Sequence, residues 1–178
     1  MRYIQGMIIG GIELRTPGSA DAETMIAFMK QSYSETPFLS SMPEEFDVSV
    51  EEELEFLRRH ERSEKDCMIG AWIGGRLAGT VRLSAVRDNY RLRHRAKVGV
   101  SVLKEFWGRG VGSMLMDAAL NTAASAGYRQ VELEVCADNE RAIRLYKKFG
   151  FEEYGRLPQA MRRSYDTFMD EILMVKRL

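Results

Sequence analysis

Along residues 7–14, β-branched side chains mix with glycine and stop at Thr16-Pro17-Gly18, which predicts a first strand followed by a turn. Ser19-Ala20-Asp21 then offers capping side chains to a helix whose apolar positions Ala22, Met25, Ile26 and Met29 carry it to about Gln31. Residues 36–43 hold two prolines and several hydroxyl groups, so an irregular connection is expected there, of the kind that can line a substrate cleft. Ser49-Val50-Glu51-Glu52 has the form of a capping box. Val50, Leu54 and Leu57 continue it as the apolar stripe of a surface helix ending near Arg62.

Two apolar, β-favouring stretches, residues 67–73 and 77–86, meet at Gly74-Gly75 and predict a hairpin. Val98, Val100 and Val102 alternate within a further strand over residues 96–103. A glycine-rich turn, 108–113, leads into a helix marked on one face by Val111, Met114, Leu115, Ala118, Ala119 and Thr122, which stops before Gly127. Val131, Leu133 and Val135 alternate with Glu132, Glu134 and Cys136, giving a strand with two chemically distinct faces. Asp138 or Asn139 can cap the next helix, whose positions Ala142, Ile143, Tyr146 and Phe149 keep helical spacing up to Gly150. Residues 151–157 and 167–175 read as two closing strands around a turn near Tyr165-Asp166.

Composition narrows the class. The chain has 178 residues, and residues 1–178 are expected to form one domain. Its 26 basic and 26 acidic side chains balance, so no global charge points to nucleic acid or an anionic membrane. Cys67 and Cys136 have no paired spacing and only two histidines accompany them, so neither a disulfide framework nor a metal site is expected. The apolar runs are too short for a membrane span and the start lacks a signal-peptide core, which makes the cytoplasm the expected location. The basic segment 87–95, with Arg87, Arg91, Arg93 and Arg95, reads either as a solvated loop or as a patch meeting an acidic substrate group or cofactor phosphate.

A strand leading through glycines into a helix presents backbone N–H groups and the positive helix end to one place, which suits phosphate oxygens. A P-loop requires Lys then Ser or Thr after its second glycine, whereas Gly112 is followed by Ser113 and Met114. A dinucleotide fingerprint requires a glycine at its sixth position, where Ser113 stands. The spacing Arg/Gln-x-x-Gly-x-Gly/Ala fits Gly110-Val111-Gly112, and there the chain resembles the GNAT superfamily of N-acetyltransferases. Trp107 departs from that pattern at its first position. The resemblance continues from Leu133-Glu134-Val135 through Asn139 and from Arg141 to Phe151.

That resemblance implies an α/β fold: a single GNAT-like domain with a mixed, mostly antiparallel twisted sheet of six to seven strands and about four helices, splayed between the strands near 98–103 and 131–136. It implies acetyl-CoA as co-substrate and a primary amine as acceptor, with attack in a ternary complex and no metal. Backbone groups of Val100, Ser101 and Val102 would pair with the pantetheine arm. Gly108, Arg109, Gly110, Val111, Gly112 and Ser113 would hold the pyrophosphate, and Asn139 would touch the cofactor arm. Tyr146 would lie by the sulfur as proton donor, and Glu134 would be the base unless water carries the amine proton. The resemblance leaves open a homodimer, another acyl-CoA, and a non-catalytic CoA-binding module on the same fold.

Overall fold

Gly10 and Gly11, at φ of 57° and 80°, turn the chain back on itself and divide the expected first strand into a hairpin. Its arms are β1 (Met7–Ile9) and β2 (Ile12–Arg15), paired antiparallel with Ile9 opposite Ile12. A second glycine hairpin at Gly74-Gly75 joins β3 (Cys67–Ile73) to β4 (Arg76–Ala85). The remaining strands are β5 (Arg95–Val102), β6 (Gln130–Cys136), β7 (Glu152–Ser164) and β8 (Thr167–Arg177). The computed structural model describes residues 6–63 and 66–178.

Among the described residues, all eight strands form one sheet in the order β1-β2-β3-β4-β5-β6-β8-β7. β5 and β6 are parallel, and their neighbours pair antiparallel. The crossover between them carries α3 (Val111–Ser125), as a parallel connection requires. Leu115, Met116, Ala119 and Ala123 of α3 are buried together with Val81, Leu83, Val98, Val131 and Leu133, which share one sheet face by strand alternation. α1 (Ala22–Glu35) and α2 (Val50–Arg62) pack on each other by the opposite face, where Arg82 of β4 lies 5.2 Å over the Phe56 ring. α2 begins on the expected capping box: Ser49 Oγ accepts from the Glu52 amide at 3.2 Å, and the Glu52 carboxylate accepts from the Ser49 amide at 2.9 Å.

Among the described residues α4 (Glu140–Lys148) completes four α-helices, where about four are expected, and the sheet has eight strands rather than six or seven. β7 also runs on past Leu157. Its pairing shifts from Leu157 opposite Glu171 to Met161 opposite Met169, so Pro158 sits in a bulge. Gln159 there has φ 51°, and Asp170 holds it by accepting from the Gln159 amide at 3.0 Å and from Arg156 Nε at 2.9 Å. No helix among the described residues is long and apolar enough to cross a membrane.

Candidate active site

β5 and β6 are paired at only three positions, Arg95 with Gln130, Ala96 with Val131 and Lys97 with Glu132, and part beyond them. β6 stays paired to β8 along its whole length, so the parting leaves a gap on the β5 side. The Val86 amide donates to Arg95 O at 3.0 Å and the Leu103 amide to Ala78 O at 3.0 Å, so odd-numbered residues of β5 turn their backbone groups to β4. Val98, Val100 and Val102 therefore turn theirs to the gap. Ser101, expected to do the same, spends its backbone on β4, because neighbouring residues of a strand bond to opposite sides. The Val102 carbonyl is taken at 2.7 Å by the indole N–H of Trp107.

Two ion pairs cross the base of the fork. Arg95 makes a two-pronged contact with Glu132, at 2.5 Å from Nε and 2.7 Å from Nη2, and this contact holds the Glu132 carboxyl below its ordinary range. Lys97 Nζ lies 2.7 Å from Glu134 Oε1, with both side chains about half exposed. The Glu171 carboxyl on β8 is raised first by burial and then by the nearby Glu134 charge.

The glycine turn runs through left-handed backbone at two positions. Gly108 and Gly110 have φ of 75° and 82°, a region costly for other residues. A Cβ on Gly112 would lie 3.3 Å from Leu145 Cδ2, so a small residue lets α3 approach α4. Gly110 caps α3 without a side-chain bond, and the first bond of the helix is from Met114 to Gly110 O. The amides of Val111, Gly112 and Ser113 precede that bond and point outward, as first-turn amides do. Asn139 Oδ1 caps α4 by accepting from the Ala142 amide at 3.2 Å.

These pieces line one cleft of about 810 Å³. Of the expected site residues, Val100, Ser101, Val102, Gly108, Gly110, Val111, Gly112, Ser113, Glu134, Asn139 and Tyr146 all border it. Arg109 does not; its guanidinium sits 5.3 Å over the Phe106 ring instead. None of the arginines of the 87–95 segment borders it either, Arg95 being tied to Glu132 and Arg93 lying 4.9 Å over Tyr90. Phe38 and Leu39 bring the irregular connection after α1 to the far end, near Cys136. Arg141 and Lys148 of α4 also border the cleft.

Tyr146 is 6% exposed, and burial pushes its phenol up to about 12. Among the described residues no hydrogen-bond partner takes its hydroxyl, which is left free to donate into the cleft. No group of three His, Cys, Asp or Glu side chains there has a metal-holding arrangement.

Residues 26–151, well over half of the chain, match the acetyltransferase (GNAT) family. The chain belongs to that family. This GNAT chain superposes on the acetyltransferase of GNAT family from Streptococcus pneumoniae with a TM-score of 0.89 at 28% identity, over 94% of this chain and 99% of that one. It superposes on yncA of Salmonella typhimurium, solved with its cofactor acetyl-CoA, with a TM-score of 0.82 at 17% identity, over 95% of each chain, a likeness of fold. N-alpha-acetyltransferase 30 of Schizosaccharomyces pombe is 32% identical over 69 residues, which are 39% of this chain and 46% of that protein. The GNAT chain spans about half the length of the curated relatives it matches.

Proposed function

We propose that this protein transfers an acetyl group from acetyl-CoA to a primary amine, by direct attack of the amine while both substrates are bound. The observation that carries this reading is the parting of β5 and β6 beside a cleft that gathers the α3 N-terminus and the Tyr146 phenol. The residues present fit the cofactor. Val100 turns a backbone N–H and C=O to the gap, and Val102 an N–H, in the spacing that lets an extended amide arm bond as an added strand would. The outward amides of Val111, Gly112 and Ser113 suit diphosphate oxygens. The cleft volume falls within the usual range for a small-molecule site, about 300–1,000 Å³.

Acetyl-CoA supplies an acyl carbon activated as a thioester. Tyr146 donates its phenolic hydrogen to the sulfur as negative charge gathers there. Burial pushes this phenol up to about 12, so it keeps its hydrogen at neutral pH and is present as a donor when the thiolate forms. Glu134 takes the proton that the acceptor amine must lose, directly or through water. The name of the Schizosaccharomyces pombe relative supports an amine as acceptor.

The test is a panel of amines, peptide N-termini, amino acids and polyamines, incubated with acetyl-CoA while free CoA thiol is measured. Amine-dependent thiol release with recovery of the acetylated amine is the expected result. Tight CoA binding with no release on any acceptor would instead make the chain a binding module, and release only with longer acyl groups would change the donor.

A further inference from the structure

Trp107 stands where the GNAT loop pattern places Arg or Gln, so the loop has no cation at that position. Its indole N–H fastens the loop to β5 through the Val102 carbonyl. Its ring carries the guanidinium of Arg141, 4.3 Å from the ring centroid. Both side chains border the cleft beside the α3 N-terminus.

Arg141 is the second residue of α4, where a cation faces the positive end of its own helix and loses energy by it. Nearby carboxylates give no relief, since Glu140 pairs with Arg144 at 3.0 Å and Asp138 pairs with Arg163. Among the described residues no carboxylate lies within ion-pair distance of Arg141. Lys148, the last residue of α4 and two residues past Tyr146, reaches Ser113 Oγ at 3.4 Å. The α3 N-terminus and two cationic side chains thus border the same cleft, a field that a bound anion would relieve. Arg109, the loop's own cation, does not border the cleft and lies over the Phe106 ring.

We propose that Arg141, held over the Trp107 ring, is the guanidinium that binds the diphosphate of the cofactor, so that α4 supplies the charge absent from position 107 of the loop. The inference rests on the proposed use of acetyl-CoA. A guanidinium held over an aromatic ring by cation–π attraction keeps N–H groups free to bond phosphate oxygens in pairs. Trp107 then replaces a phosphate ligand with a platform for one.

Calorimetric titration of the full chain with CoA, and with pantetheine, which lacks the diphosphate, tests this. Arg141→Ala is expected to weaken CoA binding by about 10- to 100-fold, the usual loss for a bond to a charged group, and to leave pantetheine binding unchanged. Arg109→Ala is expected to bind CoA like the wild type. Trp107→Arg placed in the Arg141→Ala background is expected to recover most of the loss, and matched melting curves check that each variant is folded. Unchanged CoA affinity in Arg141→Ala, an equal loss for pantetheine, or a loss confined to Arg109→Ala would overturn the proposal while leaving the acetyl-CoA reading intact. Failure of the wild type to bind CoA would overturn both.

Discussion

Lys97, at the last position of β5 paired to β6, forms a 2.7 Å ion pair with Glu134, two residues further along β6 than its own partner, where the strands have parted. The pair holds the carboxylate at the mouth of the gap. Being half exposed, it contributes about 0–1 kcal/mol to folding, so a role in stability alone is small. Glu134→Gln is therefore expected to lower kcat by about 10²-fold with little change in melting temperature, whereas Lys97→Ala keeps most of the activity. Steady-state kinetics of both variants on one acceptor decide the matter. Equal, modest losses in the two would mark Glu134 as a partner for Lys97 and remove it as base.

Tyr146 offers a cleaner separation of chemistry from binding. Its hydroxyl has no partner among the described residues, while its ring packs 5.9 Å from Phe151. Tyr146→Phe keeps that packing and loses only the donor. We expect kcat to fall about 10²-fold while the dissociation constant for CoA stays within a factor of two or three of wild type. An unchanged kcat would place the proton donation elsewhere.

Glu132 reads in the sequence as the twin of Glu134 on the same strand face, and the structure separates them. Its side chain is 6% exposed and grips Arg95 where β5 and β6 are still paired, which makes it a fastener at the base of the fork. Glu132→Ala leaves Arg95 without its partner and is expected to cost about 2–4 kcal/mol, lowering Tm by roughly 5–10 °C. The Glu132 carboxyl is held below its unfolded range, chiefly by the Arg95 contact. Its contribution is complete above the ordinary carboxyl range of about 4 and disappears as pH falls through its lower folded value. The difference in Tm between wild type and variant should accordingly shrink on acidification, and a difference constant from pH 7 to pH 3 would contradict the fastening role.

Local signals carried far in this chain. The capping box at Ser49, the Gly74-Gly75 hairpin, the alternating valines of β5 and the Asn139 cap are short-range choices that tertiary packing did not override. What escaped was set by distance and direction. Gly10-Gly11 carries the same turn signal as Gly74-Gly75, but its arms are only three and four residues long, too short for alternation to separate a hairpin from one interrupted strand. The β7 bulge depends on Asp170, eleven residues from the Gln159 amide it accepts. Which β5 residues face the gap follows from the pairing register with β4, which composition does not encode. Arg141 was visible as a residue within the family-like segment, but its stacking on Trp107 spans two helices' N-termini and has no sequence spacing to reveal it.

Alkaline stability tests the buried phenols without any substrate. Burial alone pushes Tyr146 up to about 12, and burial, helped by the charges of Asp66, Asp88 and Cys67, does the same for Tyr128. In the unfolded chain each ionises near about 10. Below that pH both states keep their protons and stability does not change on this account. Between about 10 and 12 the unfolded chain has lost protons that the folded chain retains, so stability falls as pH rises, by up to about 1.4 kcal/mol per pH unit for each phenol. Melting temperature should thus be level from pH 8 to 9.5 and decline above 10. Tyr146→Phe and Tyr128→Phe should each make that decline shallower, and the double variant shallower still. A decline in Tyr146→Phe as steep as in the wild type would mean that the Tyr146 phenol ionises in the folded cleft, and with it would go the case for a protonated donor beside the sulfur.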